Sequence, residues 1–336
     1  MGPGRETSGR SWLIIPDMSR SLPPPGATAW DFPRSAAGVR HLVAYAGRAG
    51  LPVEPLLVGS GLRADDLERI QVVTAAQELR VVRALARLLP DSGGDVGRRY
   101  TAASFGVMGW AMRASATLGE AVGLALRFID LSFAFVIPQA RLEGGAGEER
   151  VVAELDATAL PADVRRWLLE RDATAVATVL ESLVPGGVGL VQVVDGDRAT
   201  LSFAATELDR PLVRERGADH EAAEAACQAL ALPRRERSGP VADVRVLVAQ
   251  RLRDGAPMAE VAAALGVTER TLRRRLAAEG TGYRALVEEV RSGLAAELLS
   301  VGLPVADVAA RLGYAETAPL TRAHRRWTGR PPSAVR

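Results

Sequence analysis

The apolar residues between positions 36 and 89 recur with the period of amphipathic helices. Thr74 and Gln77 have the spacing of a capping box, which predicts a helix start at that point. The stripe behind it consists of Leu79, Val82, Leu85, Ala86 and Leu89. A second amphipathic pattern begins at Thr117, so we expect this part of the chain to be mainly helical.

The period then changes from helix-like to strand-like. Residues 133–143 lead into the glycine-rich stretch 144–147, and the apolar run 151–155 follows. This arrangement predicts a β-hairpin. A helix is predicted over 162–183, and two more strands follow at 188–194 and 199–204, joined by Asp195-Gly196-Asp197. We therefore predict an α+β N-terminal domain, with helices and a small antiparallel sheet.

The last third of the chain contains one short motif twice, at residues 259–266 and 306–313. Six of the eight positions are identical, and each copy ends in a glycine that suits a left-handed helix exit. A second helical pattern follows each glycine. This predicts an all-α C-terminal domain with two helix-turn-helix units, whose second helices can enter a DNA major groove.

The helix after the first motif places Leu272 and Leu276 on its inward face and Arg270, Arg273 and Arg274 on the other. Arginine can pair with phosphate or with the edge of guanine. A lone arginine cluster is more often a solvated face, but the glycine turn and the repeated motif favour DNA binding here.

In the second unit, Pro319 is tolerable only in the first helical turn, so its helix should start near Thr317 or Ala318. Its inward stripe is predicted to contain Leu320, Ala323, His324 and Trp327. We expect His324 to be partly exposed and bonded to a neighbour, and its replacement by Phe to stabilise the domain.

From about Val241 onward, the chain resembles the AraC/XylS class of bacterial transcription regulators. The resemblance is carried by residues 261–268, 271–276, 279–281, 308–314 and 322–329, with Arg291 and Pro332. The family usually has Phe at the positions of Leu320 and His324, so the second unit is the poorer match. The resemblance implies base contacts at Arg270, Arg273 and Arg274 in the first unit, and Thr271 of the same helix is a further candidate. In the second unit the inward stripe leaves Thr317, Thr321, Arg322 and Arg325 outward, so we expect its DNA contacts there.

The N-terminal part resembles the effector-binding domain of AraC-type regulators of the ornithine-utilisation and virulence kind. The resemblance spans roughly residues 39–212 and is carried by 104–112, 115–121, Arg127-Phe128 and 208–212. It departs from the family between its last two strands, where a longer segment is reduced to a tight turn. The resemblance implies a small-molecule effector and a homodimer.

Apolar and aromatic residues concentrate between the predicted hairpin and the helix before it, which predicts an effector pocket there. The candidate residues are Phe128, Phe133 and Phe135, with Arg127 as a cation that could hold a carboxylate. An apolar acid therefore suits this pocket better than a sugar. These rings could equally be core residues. A regulator without a ligand, whose N-terminal domain serves only dimerisation or protein contacts, is the alternative.

Composition and charge define the domain organisation. From Ser238 onward the chain has 15 Arg against 10 acidic residues, a net charge of +5, whereas the whole chain carries +2, which leaves −3 elsewhere. A basic module behind an acidic body is typical of a DNA-binding domain joined to a sensing domain. We predict a disordered leader over 1–35, an effector-binding and dimerisation domain over 36–232, a linker over 233–240 and a DNA-binding domain over 241–336.

Other function classes find little support in the sequence. It contains no nucleophile elbow, phosphate-binding loop or zinc-binding His-Glu-x-x-His motif, so we expect neither an enzyme nor a cofactor or metal site. An architectural, non-specific DNA binder would not need so large an acidic domain. The single cysteine, Cys227, and the lack of an apolar N-terminal segment suit the cytoplasm. The expected partners are promoter DNA, a small effector, a second copy of the chain and RNA polymerase, with no membrane.

Overall fold

The computed structural model describes residues 22–145, 148–213, 219–236, 241–300 and 303–334. Two large hydrophobic cores lie in this part of the chain, together with a small cluster of Phe32, Ile129 and Ile137. One is built from residues between Ala36 and Ala231, and the other from residues between Val241 and Leu320. The first contains helices and a small antiparallel sheet and the second is all helical, which confirms the predicted fold class.

The first core begins with a helical layer. Thr74 caps the third helix, because its side chain accepts a hydrogen bond from the Gln77 amide and Gln77 returns one to the Thr74 amide. This is the predicted capping box. Thr117 caps a later helix in the same way through the Glu120 amide. The helices are α1 (Ala37–Arg48), α2 (Glu54–Leu57), α3 (Ala75–Leu88), α4 (Gly93–Gly97), α5 (Gly106–Ala114) and α6 (Leu118–Arg127).

A four-stranded antiparallel sheet follows, with α7 (Arg165–Leu183) between its two hairpins in the chain. The strands are β3 (Gln139–Glu143), β4 (Arg150–Asp156), β5 (Val191–Asp195) and β6 (Arg198–Ala204), in the spatial order β3-β4-β6-β5. The tight turn at Gly196 and Asp197 joins β5 to β6 as predicted. A separate two-stranded ladder pairs β1 (Arg34–Ser35) with β2 (Val72–Val73).

The first hairpin is shorter than the sequence pattern predicts, because residues 133–137 are not a strand. The carboxylate of Asp172 accepts hydrogen bonds from the amides of Phe135 and Val136, at 2.7 and 2.8 Å. Those N–H groups therefore pair with a side chain instead of a neighbouring strand, and β3 begins only at Gln139.

The predicted disordered leader is too long. Residues 1–21 lie outside the described part of the chain, but residues 22–35 pack against the first core. The Gly26 amide donates to the Leu126 carbonyl, the Trp30 ring contacts Phe135, and Arg34 is fully buried. The interpretation of this stretch as disordered rested on its Pro and Gly content. Composition does not reveal that Arg34 pairs with residues far away in the sequence.

Helix α8 (His220–Glu236) leads toward the second core. It includes four of the eight residues assigned to the linker, and residues 237–240 lie outside the described ranges. The second core contains α9 (Ala242–Arg251), α10 (Met258–Ala264), α11 (Glu269–Ala278), α12 (Tyr283–Ser300), α13 (Val305–Arg311) and α14 (Thr317–Thr328). Within the ranges that the structure describes, no helix is both long and apolar enough to cross a membrane.

Candidate DNA-binding surface and effector cavity

The first helix-turn-helix unit consists of α10 and α11. Gly266 lies between them in the left-handed region, with φ of 67°, as its place at the end of the motif predicts. Thr268 begins α11 by accepting a hydrogen bond from the Thr271 amide at 3.2 Å. Leu272 and Leu276 are buried against the second core. The opposite side of α11 is therefore left facing solvent.

That exposed side carries the predicted arginines. Arg270 and Arg274 are exposed and form no ion pair with any described residue. Arg273 is also exposed, but its guanidinium bonds to Glu269 one turn earlier at 2.8 Å. Two arginines on one helix are thus immediately available to phosphates or base edges, whereas Arg273 must first exchange its partner.

The second unit consists of α13 and α14, with Gly313 at φ of 78° between them. Helix α14 begins at Thr317, so Pro319 lies in the first turn as predicted. Arg322 and Arg325 are exposed, and Thr321 is half-buried, with its hydroxyl bonded to the Thr317 carbonyl. The four predicted DNA contacts of this unit therefore lie on one side of α14, away from the inward residues Leu320 and Ala323.

His324 differs from the sequence-based expectation of a partly exposed side chain. It is only 2% exposed, and its Nδ1 lies 2.7 Å from the Arg330 carbonyl oxygen. Because a carbonyl can only accept, Nδ1 must donate the proton. His324 therefore fastens the end of α14 to the following turn, a role that a Phe could not fill.

Helix α12 joins the two units and is held to both sides of the domain. Arg245 of α9 pairs with Glu289 of α12 at 3.0 Å. Arg326 and Trp327 of α14 both bond to Glu288, at 2.7 and 2.9 Å. Burial opposes the charge of Glu288, but these two hydrogen bonds keep the pKa of its carboxyl below the usual value. Helices α9 and α14 are thus both held to α12. We call the second helices of the two units, α11 and α14, the reading helices.

In the N-terminal domain, a cavity of about 110 Å³ lies between the sheet and helices α5, α6 and α7. Its walls are almost entirely apolar. The α5–α6 side contributes Met108, Met112, Val122, Ala125 and Leu126, the sheet contributes Ala140, Val151, Ala153 and Phe203, and α7 contributes Ala175, Val176, Val179 and Leu180. Such an apolar space suits a small ligand.

The structure brings only part of the predicted effector set to this cavity. Phe133 lines the wall, together with Leu126 and Ile129. Phe128 and Phe135 are buried in the core but do not line the cavity. Arg127 lies outside it, where its guanidinium pairs with Glu224 of α8 at 2.7 Å. The predicted location is therefore close, but the predicted cation is elsewhere.

The charged residues in the wall are Arg171 and Asp172 of α7, which the sequence reasoning missed. Both are almost completely buried. Adjacent opposite charges within the apolar pattern of a long helix are the signal that could have found them, because charges are rarely buried unless paired. Tyr100 and Phe105 also line the cavity, from a part of the chain distant from the predicted hairpin.

The two domains touch through α3 and α9. The side-chain amides of Gln77 and Gln250 exchange hydrogen bonds of 3.0 and 2.8 Å, and Gln250 also donates to the Val72 carbonyl at 3.0 Å. Gln77 also completes the cap of α3. Its neighbour Glu78 bonds to Arg34 and lies 3.9 Å from Arg171 in the cavity wall. One helix end thus contacts both the cavity wall and the DNA-binding domain.

Comparison with known proteins agrees with both parts of this geometry. Residues 50–195 match the family model of the arabinose-binding N-terminal domain of the AraC transcription regulator, and residues 261–336 match a helix-turn-helix domain model. The cavity-lining helices and sheet fall largely within the first match, and both reading helices fall within the second.

Full-length relatives are also found. Uncharacterized HTH-type transcriptional regulators of Mycobacterium tuberculosis and Mycobacterium bovis are each 32% identical, over 93% of this chain and 97% of theirs. The ornithine utilization regulator of Pseudomonas aeruginosa is 29% identical over 74% of this chain and 78% of its own. The crystal structure of the transcriptional regulator CdpR from the same organism is 25% identical and superposes with a TM-score of 0.39, over 89% of this chain and 97% of that one. The chain belongs to the AraC family of DNA-binding transcription regulators.

Proposed function

We propose that this regulator binds its promoter through both reading helices and is controlled by a small apolar effector in the N-terminal cavity. The observation that carries the effector part is the position of α3, which meets the cavity wall through Glu78 and the DNA-binding domain through Gln77. A ligand that alters the packing of Arg171 can act on Glu78, and hence on the contact that holds α9. The cytoplasm, where promoter DNA is accessible, is the proposed place of action.

The DNA-binding part predicts a specific footprint. Helix α12 has 18 residues, so it is about 27 Å long and separates the reading helices by a distance near one turn of DNA. Cleavage protection by the full-length protein should show two short patches per bound chain on one face of the duplex. A single patch per bound chain would mean that only one unit contacts DNA. A salt titration on operator and scrambled DNA separates sequence-specific binding from the architectural alternative.

The effector part is tested by filling the cavity. Ala153 of β4 lines it, whereas the next residue, Glu154, points to the exposed face of the same strand. Ala153→Phe should leave operator binding intact but abolish the change in promoter output that wild-type cells show when growth conditions vary. Glu154→Phe is the matched control and should respond normally. An Ala153→Phe protein with a full response would favour the alternative, a regulator whose N-terminal domain binds no ligand.

The homodimer and the contact with RNA polymerase stay predictions. Sedimentation of the full-length protein, alone and with operator DNA, checks the first of them. Activity of the purified protein in a reconstituted transcription reaction checks the second.

A further inference from the structure

A compact group of four buried charges includes Arg171 and Asp172 of the cavity wall. Arg171 bonds through Nε to Asp172 at 2.7 Å and through Nη2 to the Phe133 carbonyl at 2.9 Å. Arg34 bonds to Glu78 at 2.5 Å and also to the Phe133 carbonyl. All four charged side chains are almost completely buried. Two positive and two negative charges are present, so the group as a whole is neutral.

Two hydrogen-bond donors in this wall have no partner among the described residues. They are the hydroxyl of Tyr100 and Nη1 of Arg171. Nη1 of Arg171 lies 3.9 Å from Glu78 Oε1, a buried acceptor that also has no hydrogen bond. Both residues line the cavity, and each is close enough for its charge to influence the pKa of the other. Burial raises the pKa of Tyr100 well above its usual value, so its hydroxyl keeps its proton. Buried donors without acceptors are rare, because each loses its hydrogen bonds to water.

The rest of the wall sets the shape of a ligand. The rings of Tyr100, Phe105 and Phe133 pack together, with centroids 5.1 to 5.8 Å apart. Met108 and Met112 are flexible side chains that can adapt to a ring beside them. A volume of about 110 Å³ has room for a compact molecule. A sugar would bury several hydroxyl groups against apolar side chains, which is strongly unfavourable.

The charge balance decides between an acid and a neutral molecule. Asp172 and Glu78 already compensate Arg171 and Arg34. A carboxylate in the cavity would add one uncompensated negative charge to a buried neutral group. A neutral oxygen can accept a hydrogen bond without that penalty. Arg127, the residue on which the predicted acid depended, bonds to Glu224 instead.

We propose that the cavity takes a compact, uncharged ring compound that carries one hydrogen-bond-accepting oxygen, held by Tyr100 and Arg171. This inference rests on the proposed effector site, because it names the chemical class of that site's ligand. The hydrocarbon part would pack against the three rings and the methionines. The oxygen would accept a hydrogen bond from the Tyr100 hydroxyl or from Nη1 of Arg171.

Three probes of nearly equal size and shape distinguish a ligand with a neutral oxygen from one without an oxygen and from an acid. Acetophenone has the neutral oxygen, α-methylstyrene replaces that oxygen by a carbon, and benzoate replaces the methyl group by a charged oxygen. Calorimetry with the full-length protein should give acetophenone an affinity about tenfold above both of the others. L-arabinose is included as the sugar arm and should not bind at this site.

Tyr100→Phe tests the donor itself. It should lower the affinity for acetophenone about tenfold and change that for α-methylstyrene less than twofold. Tyr45→Phe is the matched control, since Tyr45 is buried in the same core but does not line the cavity. Equal losses for both probes in Tyr100→Phe would indicate damage to packing and contradict the assigned hydrogen bond. The wild-type comparison of probes needs no variant and stands even if one variant fails to fold.

The remaining outcomes are distinct. Tightest binding of benzoate would overturn the neutral class in favour of an acid. Equal binding of acetophenone and α-methylstyrene would overturn the hydrogen bond but leave the cavity as a ligand site. Absence of binding by all the apolar probes would overturn both the inference and the proposed effector cavity. Binding of L-arabinose that competes with acetophenone would overturn the apolar class.

Discussion

The two helix-turn-helix units share a motif but differ at the turn, at the start of the reading helix and in its buried face. Gly266 has open space around its α-carbon, whereas a β-carbon at Gly313 would lie 2.0 Å from the Leu252 carbonyl oxygen. Thr268 caps α11 with its side chain, whereas Glu316 makes no such bond to α14. Similar sequences thus occupy different surroundings, and only the turn of the second unit lies against the backbone at Leu252, directly after α9.

This comparison separates two reasons for a glycine at a turn. Both positions have a left-handed φ, which favours glycine at either site. Only Gly313 also needs the absence of a side chain, because the end of α9 passes directly beside it. The motif alone cannot distinguish these cases, since the neighbour comes from about sixty residues earlier in the chain.

The largest predicted effect comes from replacing these glycines by alanine. Gly266→Ala should lower the free energy of unfolding by about 1–2 kcal/mol, through backbone strain alone. Gly313→Ala adds overpacking against Leu252 and should cost about 2–5 kcal/mol. Urea unfolding of the full-length protein, followed by a signal from the C-terminal domain, measures both. Equal losses would mean that α9 moves aside and that the units are alike.

The next effect concerns DNA affinity. Arg274→Ala in α11 should weaken operator binding by about 1–3 kcal/mol, because this arginine is exposed and has no ion-pair partner among the described residues. Arg325→Ala in α14 should cost less than about 1 kcal/mol if it contacts phosphate only. Fluorescence anisotropy on operator and random DNA distinguishes the two.

A control removes the same charge elsewhere. Arg63 is exposed in the N-terminal domain, so Arg63→Ala should leave affinity unchanged. A loss for Arg274→Ala that is the same on operator and random DNA would show that α11 does not select sequence. A larger loss for Arg325→Ala than for Arg274→Ala would reverse the order of the two units.

Local signals in the sequence were sufficient for most of the fold. Thr74, Thr117 and Thr268 each cap the helix that their sequence position predicts. The turn glycines and the strand alternation are equally local. These features depend on residues within about one helical turn, which a sequence displays directly.

The cavity wall could not be found in that way, because it is assembled from distant segments. Arg127 was selected for its closeness in sequence to Phe128 and Phe133, but the last turn of α6 directs it toward α8. Arg171 reaches the same Phe133 carbonyl from α7, and Arg34 reaches it from the supposed leader. The sequence around Arg34 and Arg171 does not indicate that both side chains reach the Phe133 carbonyl.

The buried face of α14 supplies a third prediction. His324→Phe should lower the free energy of unfolding by about 1–2 kcal/mol, because the Arg330 carbonyl loses the shorter of its two hydrogen bonds and keeps only the one from the Thr328 hydroxyl. Calorimetric melting of the full-length protein measures the change. Leu320→Phe at the other family position tests packing without loss of a donor. A higher melting temperature for His324→Phe would show that burial of the aromatic ring outweighs the hydrogen bond.

The smallest predicted effect concerns the start of α14, which has no side-chain cap. In α11 the capping side chain of Thr268 accepts its hydrogen bond from the amide of Thr271, the third residue of the helix. The third residue of α14 is Pro319, which has no N–H to donate. A better capping residue at position 316 should therefore gain little by itself.

Glu316→Asp alone should change the free energy of unfolding by less than about 0.5 kcal/mol, whereas Glu316→Asp with Pro319→Ala should gain about 1 kcal/mol. Thr268→Ala in the first unit is the reciprocal variant and should lose about 1 kcal/mol. A full gain from Glu316→Asp alone would mean that the Ala318 amide donates the capping hydrogen bond instead. The proline would then not be the cause of the missing cap.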